Sequence, residues 1–175
     1  MAADSARWSK ERQNEMIQGM RERARQMGII TMTATREPIL LWSHYANSHK
    51  GLCMEFESCD PGDAFAAAKE VRYADEYPEV RLFLDTDKEQ YDKVVLAKSR
   101  AWKYEQEWRI VEPNGTFDYL EFSPENLVSI TLGCRMCASW AKRLSEWAAR
   151  SESCPRVYQA MIHSDAYRLV FEEVI

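Results

Sequence analysis

Two hydrophobic periods alternate along this chain, and the switches between them mark out its elements. From Asp4 to Met27, the positions of Trp8, Met16, Met20, Ala24 and Met27 recur at near-helical spacing, which predicts one amphipathic helix ended by Gly28. The β-branched run at 29–33 reads as a strand that feeds the loop Ala34-Thr35-Arg36-Glu37. Pro38 suits the first turn of a helix reaching to about Asn47, with His44 and Tyr45 near its end. Gly51 breaks the chain, and LCMEFE (52–57) begins a second strand.

Beyond the turn-rich CDPGD the pattern predicts a strand over KEVRYA (69–74) and a helix over 87–102, with Tyr91, Val94, Val95 and Ala101 as its apolar positions. EQEWRIVE (105–112) reads as a strand; its alternation puts Glu105, Glu107, Arg109 and Val111 on one face, and Gln106, Trp108 and Ile110 on the other. Asn114-Gly115 is the turn expected to join it in a hairpin to TFDYLEF. LVSITL is a further strand, and 137–150 a helix with Trp140, Leu144 and Trp147 inward. PRVYQAMI and YRLVFEEV are the closing strands. With no internal repeat, the expectation is a single α+β domain over 1–175: a mostly antiparallel or mixed sheet, an N-terminal helix and two or three further helices.

Composition supports one core: 175 residues, 46% hydrophobic and 29% charged, suit a single globular unit. No apolar run approaches the roughly 18 residues needed to cross a bilayer, and nothing at the N-terminus reads as a signal peptide, so a cytoplasmic protein without a membrane partner is expected. Five cysteines are an odd number, and the Cys134–Cys137 CxxC has no second ligand pair, so reduced thiols and no metal site are expected. A net charge of −5 argues against a broad nucleic-acid surface. The densest basic stretch also carries Glu11, Glu15 and Glu22, which makes it a solvated helix face.

Two segments gather more polar and aromatic groups than a structural element requires: WSHYANSHKG (42–51) and KYEQEWR (103–109). His44 and His49 suit proton transfer or hydrogen bonding near neutral pH. Trp42, Tyr45, His49, Lys50, Tyr104, Arg109 and Thr33 are candidate substrate contacts, and Lys103, beside Tyr104, extends either this reading or the structural one. Glu105 and Glu107 can stabilise developing positive charge, or divide the work of base and hydroxyl acceptor. The structural alternative is a packed Trp42 and Tyr45, a capping His44, and a strand face of cross-strand ion pairs.

LLWSHYANSHKGLCMEF, followed by K-x-x-x-W-x-Y-E-Q-E-W-R at Lys98 to Arg109, resembles the bacterial domain of unknown function family 2971 across about Gly28 to Gly133. That resemblance implies no settled activity. It also implies an additional N-terminal segment with an Asn-Asp-Pro-Phe-like motif; the motif is not found here, so the chain is expected to be a short member or to lack that segment. In strand order the chain is also similar to toxin-type ADP-ribosyltransferases, with ITMTAT, then GLCMEF, then YEQEWRIVEPNGTF. That similarity implies Glu107 as catalytic carboxylate, Glu105 as acceptor-side carboxylate, Thr33 or Thr35 as the hydroxyl supporting Glu107, and NAD as substrate with no further cofactor. It departs from the pattern in opening with a helix rather than a strand bearing arginine or histidine, so His44 would have to stand in. The chain thus admits three readings: an NAD-using transferase or glycohydrolase; a non-catalytic module recognising a nucleotide or protein partner through Trp42, His44, Tyr45 and Arg109; and a hydrolase pairing Glu107 with His44, without support from a GxSxG, HExxH or P-loop pattern.

Overall fold

The computed structural model describes residues 10–81, 84–112 and 119–174. Its elements in chain order are α1 (Lys10–Arg25), β1 (Gly28–Thr33), α2 (Ile39–Tyr45), β2 (Leu52–Phe56), the 3-10 turn η1 (Ala64–Ala67), β3 (Lys69–Glu70), β4 (Arg72–Ala74), α3 (Asp87–Val95), β5 (Ala97–Ser99), η2 (Arg100–Glu105), β6 (Glu107–Glu112), η3 (Pro124–Asn126), β7 (Leu127–Leu132), α4 (Ala138–Ala148), β8 (Arg156–Ile162) and β9 (Leu169–Glu173). The fold class is α+β. The strands form three small sheets, ordered β1-β6-β3, β2-β7-β8-β9 and β4-β5. Pairing is antiparallel except for β4 with β5 and β7 with β8.

The four-stranded sheet carries the main core. On one face Leu127, Ile130, Leu132 and Val157 meet α4, which contributes Ala141, Leu144 and the fully buried Ala148. On the other face α2 and the turn after it lay Trp42 and Ala46 over Ala160 and Leu169. Trp140 and Trp147, expected inward, are 54% and 49% exposed. The helix turns its alanines to the sheet because small side chains let the backbones approach closely, and the two indoles are left at the flanks.

Three expectations are corrected in the middle of the chain. KEVRYA is split at Val71: β3 pairs with β6, whereas β4 pairs with β5 in a separate sheet. The helix predicted over 87–102 stops at Val95, and the chain continues into β5 and then η2. Finally, β6 begins at Glu107, because Gln106 takes left-handed backbone angles (φ 45°, ψ 51°) that end η2 and turn the chain. The Asn114-Gly115 turn lies outside the described residues, and Tyr119 to Phe122 are not in a strand. α1 is described from Lys10 to Arg25, so the first part of the predicted Asp4–Met27 helix also lies outside.

Among the described residues, no helix is long and apolar enough to cross a membrane. The five cysteines are free thiols.

Candidate functional site

The two predicted segments meet. β1 and β6 run antiparallel with Thr33 opposite Glu107, and the Thr33 hydroxyl donates to the backbone carbonyl of Glu105 at 2.5 Å. Ala34 N–H donates to the carbonyl of Gln106 at 3.0 Å. These bonds hold the kink between η2 and β6, so Glu105 and Glu107 point to the same place even though Glu105 is not in the strand. The hydroxyl of Thr33 thus supports backbone rather than the Glu107 carboxylate.

At the meeting point both carboxylates are buried, Glu105 at 3% and Glu107 at 4% exposure, and each of their four oxygens has a donor. Tyr45 Oη donates to Glu105 Oε1 at 2.8 Å. Lys98 Nζ, from β5, donates both to Glu105 Oε2 and, at 2.6 Å, to Glu107 Oε2. Arg109 Nε donates to Glu107 Oε1 at 2.7 Å, and its Nη1 donates to the carbonyl of Val95 at the end of α3. The backbone N–H of Glu107 donates to Tyr73 Oη at 2.8 Å. Two anions and two cations therefore neutralise one another where water is largely excluded, the condition under which buried charges are tolerated.

Titration directions agree with this closed pairing. Burial pushes the Glu107 carboxyl up, but Arg109 and Lys98 together outweigh it and hold the group below the ordinary glutamate value. Burial likewise pulls the Lys98 ammonium down, and the two carboxylates more than reverse this. The Tyr45 phenol is raised, first by its hydrogen bond to Glu105 and then by burial.

Above the network lies a row of rings. His44 sits 6.1 Å from both Tyr45 and Trp102, and Trp102 sits 6.1 Å from Tyr104. Lys98 Nζ is 5.1 Å from the centre of the Trp102 ring, a cation-π contact that ties the row to the charges beneath it. Tyr45 is 65% and Trp102 38% exposed; His44 is exposed as well, and Tyr104 half-buried.

The remaining expected site residues go elsewhere. Trp42 is 2% exposed, its indole N–H donating to the carbonyl of Arg36 at 2.7 Å, and it serves the core. His49 is half-buried, with Nε2 2.9 Å from Ser43 Oγ and Nδ1 enclosed without a partner. Asn47, Ser48 and His49 all have positive φ (47°, 53° and 67°), and this tight turn is clamped by Arg135 N–H on the His49 carbonyl at 3.0 Å. Lys50 is exposed on the same turn.

Sequence pattern alone does not single out Lys98, Tyr73 or Trp102, although Lys98 and Trp102 are the K and the first W of K-x-x-x-W-x-Y-E-Q-E-W-R. A helix running through 102 would hide them: only the early switch from α3 to β5 brings Lys98 beside the two carboxylates.

Residues 41–110 match the family model described as Protein of unknown function (DUF2971). Lys98, Glu105, Glu107 and Arg109 all fall inside that stretch. No curated protein and no solved structure matches the chain.

Proposed function

We propose that this domain is a recognition module that holds a nucleotide or protein partner on the ring row of Tyr45, His44 and Trp102, with the Lys98–Glu105–Glu107–Arg109 network as its rigid base. The observation that carries this reading is the saturation of both carboxylates. A carboxylate that stabilises an oxocarbenium-like sugar, or that takes a proton, needs an oxygen facing the substrate. Here each oxygen already faces an internal donor, while the rings beside them are open to solvent. Exposed aromatic faces suit planar groups, and base stacking on such a ring contributes roughly 1–3 kcal/mol.

The same geometry weighs against the other two readings. The NAD-using transferase needs Glu107 freed from Lys98 or Arg109. The hydrolase needs His44 beside Glu107, yet the α2 side chain that reaches a carboxylate is the neighbouring Tyr45, on Glu105.

The test is to add NAD to wild-type protein, following the Trp102 indole N–H signal by NMR and nicotinamide release in parallel. The expected result is a shift of that signal that is lost in His44→Ala, without release of nicotinamide. Nicotinamide release by the wild type that disappears in Glu107→Gln would replace this reading with the transferase.

A further inference from the structure

A cavity of about 600 Å³ opens between β3, β4, the middle of α3 and η2. None of the groups that form the ring row lines it. Its walls carry four cations, Lys69, Arg72, Arg100 and Lys103, against two carboxylates, Glu70 and Asp92. In a chain with net charge −5, such a concentration of positive charge runs against the bulk composition.

Pairing within the protein uses up only part of it. Lys69 Nζ donates to Asp92 Oδ1 at 3.2 Å, and Arg100 Nε to Asp75 Oδ2 at 2.8 Å. The side chains of Arg72 and Lys103 have no hydrogen-bond or ion-pair partner among the described residues. The lining also includes an apolar part, Val71 and Leu96, which are 2% and 3% exposed. Tyr73 adds an aromatic wall, held in place because its hydroxyl accepts from Glu107 N–H at 2.8 Å.

We propose that this cavity binds a small phosphate monoester with a planar or apolar body, of the size of a nucleoside monophosphate. The volume falls within the range of small-molecule pockets, about 300–1,000 Å³. Two cations without a partner among the described residues match the charge of a phosphate monoester near neutral pH, and the Arg72 guanidinium offers the planar fork that phosphate oxygens accept. The half-buried Tyr73 ring, over the closed floor formed by Val71 and Leu96, supplies a surface for the body of the ligand. This site stands apart from the ring row and does not rest on the reading given for it.

Calorimetric titration of the full chain with adenosine monophosphate, adenosine and inorganic phosphate tests the assignment, alongside Arg72→Gln and Lys103→Gln. Both substituted side chains are solvent-exposed, and thermal melts confirm that the variants are folded. The monophosphate is expected to bind more tightly than either of its parts, to weaken with added salt, and to lose about tenfold in affinity in each variant, the loss of one charge-assisted hydrogen bond. Amide signals of Lys69, Arg72 and Tyr73 should move in the NMR spectrum. Absence of binding at millimolar ligand, equal affinity in the variants, or signal changes confined to His44, Tyr45 and Trp102 would each overturn the proposal; the last would assign the nucleotide to the ring row instead.

Discussion

Lys98 is the residue on which the arrangement depends, because its single ammonium bridges two buried carboxylates. Replacing it with Met leaves two like charges facing each other. The expected loss is roughly 3–5 kcal/mol of unfolding free energy. One of the carboxyls should then take up a proton, so the deficit measured by denaturant titration should be larger at pH 8 than at pH 5; an equal deficit at both pH values would show that the carboxylates are not coupled. Tyr45→Phe removes one donor to Glu105 and should cost about 1 kcal/mol. In the wild type, the Glu107 pKa is depressed, so its contribution is present above the unfolded glutamate value and fades as pH falls through the folded one. Lys98 and Tyr45 are raised, so their contributions are present below their unfolded values and fade as pH rises through the folded ones. Stability should therefore decline on both acid and alkaline sides.

Elements with strong, uninterrupted patterns are legible in the sequence: β1, β2, β7, β8 and β9 lie where alternation and β-branching put them, and α2 and α4 within a few residues. The stretch from Lys69 to Glu107 is legible in content but not in arrangement. There the chain changes direction at Val71, Leu96 and Gln106, each through tertiary hydrogen bonds or a left-handed residue that no local period announces. That is also why the pattern groups Glu105 with Glu107 but gives no sign of Lys98, their shared partner. The turn after α2 shows a similar dependence on distant groups: a Cβ at Gly133 would lie 2.2 Å from the carbonyl oxygen of His49. Gly133→Ala should destabilise by about 2–3 kcal/mol through backbone displacement, and an unchanged melting temperature would show that the turn adjusts freely. The loop before η1 is pinned by Asp63, which caps η1 through Phe65 and Ala66 N–H and accepts from Cys59 N–H and Asn126. Burial opposes its ionisation, but donors from Asp60, Cys59 and Ala66 hold its pKa at about 2. This knot should keep its amide protection in hydrogen exchange down to roughly pH 3 and lose it nearer 2.

At the scale of the whole molecule, the three sheets divide the work. The four-stranded sheet and α4 hold the main core, whereas β1, β6 and the short β4-β5 pair carry a charge-neutral network roofed by aromatic rings. The central claim is that this network is a scaffold and not a catalytic centre. The most direct measurement is a paired determination on wild type and Glu107→Gln: unfolding free energy by denaturant titration, and nicotinamide release from NAD. A scaffold predicts a loss of about 3 kcal/mol in the variant and no turnover in either protein. A variant as stable as the wild type, which has lost an NAD turnover that the wild type possesses, would contradict it and make Glu107 a catalytic carboxylate.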